Sequence, residues 1–146
     1  MATEHPLDID QGRCNCTALR RASRRLTATY DRMLAPHKIR STQFSILFYL
    51  DREKKVRIND LAELLIMDGT TVTRNLKPLE RDGYLSIEKG KDRRERWVGL
   101  TAEGKALLTE ALPAWQEAQR NFEDSIGHED AGDLRGMLNQ VAALTG

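Results

Sequence analysis

Cysteine is nearly absent from this chain of 146 residues: only Cys14 and Cys16 occur. Two thiols so close in sequence cannot staple a fold, so no disulfide framework is expected. On a helix their side chains point apart, which leaves intermolecular pairing as the less strained bridge. A metal site needs about four ligands. The three histidines, His5, His37 and His128, are scattered, so no metal is expected. Long hydrophobic runs are missing too. The longest, Ile46 to Leu50, is far short of the roughly 20 residues of a membrane helix. The opening stretch MATEHPLDID is acidic and polar, unlike a secretory or transit signal, so a cytoplasmic, reducing setting is expected. There is no glycine-rich phosphate loop, no nucleophile elbow and no carboxylate pair in a recognisable context. Neither catalytic residues nor a cofactor are expected.

What is present suits one folded domain. Hydrophobic residues make up 40% and charged residues 31%, which supplies a core and excludes a disordered chain. The net charge of +1 conceals segregation. Residues 1–12 carry −3, residues 13–40 carry +7, residues 41–100 carry +2 and residues 101–146 carry −5. The overall balance does not demand a polyanionic partner, but the local basic clusters permit one.

The apolar pattern is mostly helical. From Cys16, Leu19, Ala22, Leu26, Tyr30 and Met33 recur at helical spacing, and Pro36 is expected to end that helix. A second helix is expected from an N-cap at Ser41 or Thr42 through Phe44, Leu47, Phe48 and Leu50. Val56-Arg57-Ile58 alternates briefly, and Asn59 is a candidate N-cap for a short helix ending near Leu65. After Met67-Asp68-Gly69, a further helix is expected from Thr70 to about Arg81, with Asp68 as its cap and Gly83 as a left-handed terminator. Helix, tight turn and helix over 59–83 make a helix-turn-helix. Tyr84–Glu88 and Trp97–Leu100 alternate like strands around the basic turn Lys89–Glu95. A hairpin directly after a helix-turn-helix is a winged helix. Beyond it, Leu108, Leu112, Trp115, Phe122 and Ile126 form one stripe, with a bend expected at Pro113. Gly127 and the acids after it break that pattern, and Leu134, Met137, Leu138, Val141 and Leu144 mark a last helix.

The expected architecture is therefore mainly α with a small β-hairpin wing. It divides into an N-terminal dimerisation helix (13–36), a winged helix-turn-helix (41–100) and C-terminal dimerisation helices (101–146). Val72, Leu76 and Leu79 form the inner face of the second helix of the pair. Its other face offers Thr70, Thr71, Thr73, Arg74, Asn75 and Lys77, groups that hydrogen-bond base edges and phosphates. No acid lies between Thr70 and Pro78 to repel phosphate. The turn carries Lys91, Asp92, Arg93 and Arg94. An arginine finger suits a narrow minor groove, and Asp92 can hold an arginine side chain in one pose. Two aromatics on the outer stripe, Trp115 and Phe122, exceed what a small reading head must cover. A two-fold dimer on a pseudo-palindromic duplex is expected, with half-sites about 10 bp apart.

The run Leu61-Ala62, Asp68-Gly69-Thr70-Thr71-Val72-Thr73-Arg74, Leu79-Glu80-Arg81-Asp82-Gly83-Tyr84-Leu85, then Asp92-Arg93-Arg94 and Leu100-Thr101-Ala102-Glu103-Gly104 resembles the multiple-antibiotic-resistance regulator (MarR) family. The resemblance covers nearly the whole chain. It implies a homodimeric winged-helix regulator, usually a repressor, released from its operator by a small aromatic acid, another phenolic or an oxidant. It implies that Arg94 is the minor-groove arginine, Asp92 its holder, and Thr70 to Lys77 the recognition helix. Cys16-Thr17-Ala18-Leu19 is similar to the first helix of the organic-hydroperoxide-sensing branch, where a thiol at the position of Cys16 reacts and tyrosines polarise it. Tyr30 matches one such tyrosine, while Arg20 and Ser41 occupy the other two positions. Fourteen residues of helix span about 21 Å, so Cys16 could meet only a partner chain's Tyr30. Cys16 can equally be a small cysteine packed at the helix start, or a ligand contact. The family's effector pocket lies where the two lobes meet, which makes Arg20, Arg24, Tyr30, His37 and Phe44 candidates for an anionic aromatic ligand. A rival from another class is a winged-helix protein-interaction module.

Overall fold

The computed structural model describes residues 12–145. Helix α1 (Asn15–Leu34) is followed by a 3-10 turn (Ala35–His37) and α2 (Ser41–Glu53). Then come β1 (Lys55–Arg57), α3 (Ile58–Leu65), α4 (Gly69–Arg81), β2 (Leu85–Lys89), β3 (Arg96–Leu100), α5 (Ala102–Ile126) and α6 (His128–Ala142). Pro36 stands in the 3-10 turn, two residues past the end of α1, where its ring cannot disrupt an α-helical bond.

Several local expectations shift by a residue or two. The cap of α2 is Arg40, not Ser41 or Thr42. The Gln43 side chain accepts from the Arg40 amide (3.0 Å), and the Ser41 amide donates to Asp31 Oδ1 (2.7 Å). Helix α3 is capped by Arg57 rather than Asn59, because β1 runs straight into it. Asp68 does cap α4, accepting from the Thr71 amide at 2.7 Å. Gly83, at φ 84°, ends α4 as expected: its amide donates to Glu80 O (3.0 Å) and that of Tyr84 to Leu79 O (2.9 Å).

Both proline-containing helices are continuous, and the acids after Gly127 belong to the last helix. Helix α5 continues through Pro113, and α4 continues through Pro78. Around Pro113, Ala111 and Ala118 are fully buried, so packing holds the helix across the missing donor. Glu129 and Asp130 do not interrupt the last helix but form its first turn, where carboxylates complement the helix dipole.

The hairpin is wider than its sequence pattern. Strand β1 adds to it, giving the antiparallel order β1-β3-β2, with Arg57 opposite Trp97 and Glu88 opposite Trp97 on the other side. Val72, Leu76 and Leu79 of α4 join Leu61, Leu85, Val98 and Leu47 in one core. Helix α5 packs on α1, α2 and α6 and so ties the head to the terminal helices. At its start Thr101 caps the helix, accepting from the Gly104 amide (3.0 Å) and donating to Gly83 O (2.7 Å). Gly104 is obligatory there, since a Cβ would overlap the Tyr84 carbonyl oxygen.

Candidate nucleic-acid interface

The outer face of α4 follows from its inner one. With Val72, Leu76 and Leu79 buried, residues at the complementary helical positions are turned to solvent. Thr70, Thr73, Arg74, Lys77, Pro78 and Arg81 line one open groove with Gly69. Arg81, the last residue of the helix, lies four residues beyond Lys77 on the same face, its Nε 3.4 Å from Asp82 Oδ1. Asn75 and Thr71 are only half-exposed, and they are joined: Asn75 Nδ2 donates to Thr71 O at 2.9 Å. That bond occupies one of the amide's two donor hydrogens. Hydrogen bonding from Thr71 holds the Asp68 carboxyl below the ordinary carboxylate range, so the cap stays ionised at the helix N-terminus.

The wing projects Lys91, Asp92, Arg93 and Arg94, all exposed. Its turn is closed by backbone bonds from Gly90 to Glu95 O and from Glu95 to Asp92 O, each 3.0 Å. Asp92 differs from expectation. Its Oδ1 accepts from the Arg94 backbone amide at 3.2 Å, and no ion pair joins it to an arginine among the described residues. Asp92 therefore shapes the backbone that carries Arg94 and leaves the guanidinium free to meet an anion. Arg96 donates to Arg93 O (2.9 Å) and Glu95 O (3.0 Å), buttressing the same turn.

The residues expected around an effector occupy different surroundings. Phe44 is buried and stacked on Trp115, with ring centroids 5.9 Å apart and planes 10° apart. Both line a small cavity of about 140 Å³ with Phe48, Tyr49 and Leu112. Trp115, expected at an interface between copies, thus packs within its own chain. Tyr30 lines a larger apolar cleft of about 820 Å³ between α1, α5 and α6, together with Leu26, Phe122, Leu134 and Leu138. Its hydroxyl donates to Gln119 Oε1, and burial, with the Glu123 charge, raises its pKa above the ordinary value. Arg20 and Arg24 are exposed and line neither cavity; the arginine at the cleft is Arg25, three residues after Ala22 on the same stripe. His37 is half-exposed in the 3-10 turn. Cys16 is exposed rather than packed, and the helix cap is Cys14, whose Sγ accepts from the Thr17 amide at 3.5 Å. Hydrogen bonding from Thr17 lowers the Cys14 thiol pKa.

Comparison with known proteins agrees with this geometry. Residues 40–104 match the family model of a winged helix DNA-binding domain. The chain is 34% identical to the M. tuberculosis transcriptional regulator MosR in complex with DNA, covering 90% of this chain and 99% of that one, with a TM-score of 0.73. It is 28% identical over 123 residues to the Staphylococcus aureus HTH-type transcriptional regulator SarZ, covering 84% of this chain and 82% of that protein. A MarR-family regulator from Rhodococcus sp. RHA1 shares the fold at 20% identity and a TM-score of 0.81, covering 97% and 99% of the two chains. Among the described residues, no helix is long and apolar enough to cross a membrane. With a threonine- and arginine-lined helix, a basic wing and homologues that are regulators rather than enzymes, the chain belongs to the MarR family of DNA-binding winged-helix transcriptional regulators.

Proposed function

We propose that this protein is a cytoplasmic homodimeric repressor that reads a pseudo-palindromic operator. The groove face of α4 enters the major groove and Arg94 the adjacent minor groove. The observation that carries the reading is the face formed by Thr70, Thr73, Arg74 and Lys77, with no acid between Thr70 and Pro78, beside an exposed arginine wing. Thr71, Asn75, Lys91 and Arg93 flank this surface and complete the phosphate contacts. Two copies join through α1, α5 and α6, where Leu19, Ile126, Met137, Leu138 and Val141 stand exposed in the single chain. A cluster of exposed apolar side chains on adjoining helices is what a two-fold interface covers.

An aromatic or phenolic acid is the proposed release signal. In support, NadR, of the same fold at 24% identity and a TM-score of 0.75, is known in complex with 4-hydroxyphenylacetate. Phe44 and Trp115 supply aromatic walls in the smaller cavity, whereas Tyr30 and Arg25 offer polar contacts in the larger cleft; Arg20, Arg24 and His37 line neither. The ligand must bind the two spacings of the reading heads unequally, or it shifts nothing. A thiol trigger is the second reading, favoured by the exposure of Cys16 and the lowered pKa of Cys14.

Binding of the duplex upstream of the protein's own gene, at two salt concentrations, tests the reading. Steep salt dependence with preference for a palindrome is expected. Salt-insensitive or sequence-blind binding would favour the interaction module. A thermal-shift screen of phenolic acids, run beside DNA release, identifies the effector. Unchanged peroxide-induced release in Cys16→Ser would remove the reactive role of that thiol.

A further inference from the structure

We infer that Arg57, which no sequence motif singled out, is a positioning residue for DNA recognition: it locks the wing to the start of the helix-turn-helix. The inference rests on the wing's proposed role in DNA binding. Arg57 is at once the last residue of β1 and the N-cap residue of α3. Its guanidinium lies 5.2 Å from the centroid of the Trp97 ring, its register partner on β3. Its terminal nitrogen is 3.4 Å from Glu95 Oε1, and its Nε is 3.9 Å from Asp60 Oδ2 on α3. Glu95 closes the wing turn, and its side chain lies so close over Gly90 that a Cβ there would collide with it. One planar cation thus touches the reading-head side through Asp60 and the wing through Trp97 and Glu95. A guanidinium does this better than an ammonium because it stacks on an indole while donating in its own plane. A hairpin held in place before docking loses less freedom on binding than a loose one.

Glu95 gives the decisive sign. Removing an acid beside a DNA-binding surface raises affinity if only the net field matters. If Glu95 serves to hold Arg57, Glu95→Gln lowers operator affinity by about threefold despite the gain in positive charge. Arg57→Ala is expected to weaken operator binding by about tenfold, with Arg57→Lys failing to restore it. The Arg57→Ala/Arg94→Ala pair should lose clearly less than the sum of the two single losses, since a wing without its main finger gains less from being held. Affinity would be read by fluorescence anisotropy on the operator duplex, with thermal unfolding recorded for each variant. Additive losses would overturn the inference. So would rescue by lysine with a salt slope reduced by about one in Arg57→Ala, which marks a direct phosphate contact. If Arg94→Ala itself binds like the parent protein, the wing reading fails and this inference with it. If Arg94→Ala is impaired but Glu95→Gln binds more tightly, only the inference fails.

Discussion

Helices α4 and α6 are both amphipathic, and they place their apolar faces differently. In α4 the stripe Val72, Leu76 and Leu79 is wholly inside its own chain, against α3, β2 and the base of α2. In α6 the only buried side chain is Ala131, while Met137 and Val141 are 57% and 50% exposed. The first helix is finished by its own fold; the second is left with an apolar face toward water. The difference teaches that the reading head is complete in a single chain, whereas the terminal helices leave an apolar face uncovered, the face the proposed second copy would take.

The contrast can be broken at either end. Leu76→Ala, at a fully buried site, should cost about 2–5 kcal/mol of stability in urea denaturation, because the close-packed head cannot collapse into the hole. Met137→Glu with Val141→Glu should leave the head folded but weaken association at least about a hundredfold, close to 2.7 kcal/mol. Sedimentation at micromolar concentration reads this directly, and a persistent dimer would place the interface elsewhere. Arg94→Ala should leave both packing and association alone and reduce specific operator binding by about 1–3 kcal/mol.

The smallest effect concerns pH. The folded-state pKa of Asp68 is lowered by its hydrogen bonds from Thr71. The cap's contribution is therefore present above the unfolded carboxyl pKa and fades as pH falls through the lower folded value. Stability measured through that acidic window should be flatter in Asp68→Asn than in the parent protein, since asparagine caps without titrating.

Much of this contrast is visible before any coordinates. The buried stripe of α4, its Asp68 cap and its Gly83 terminator are all local, set by helical spacing and by which residues accept an amide or tolerate positive φ. The site residues on α4 are legible for the same reason, as outward positions follow once the inner stripe is known. What the pattern left open was which partner each polar group takes, even close in the chain. Asp92 was expected to hold a side chain and instead holds the Arg94 amide. Asn75 turns back to Thr71, and Arg25 rather than Arg20 or Arg24 reaches the cleft. Trp115, on an amphipathic stripe, stacks on Phe44 from α2, a partner that no local pattern specifies.

Periodicity, caps and turn residues alone determined which segments coil, where they stop and which side of each is apolar, because those properties depend on residues within one or two turns. Only the folded chain decided what each apolar side meets and which polar group each charge faces. Strand β1 has three residues and pairs across some forty positions with β3. That pairing, and the placement of Arg57 between head and wing, arise from contacts whose partners no local pattern specifies.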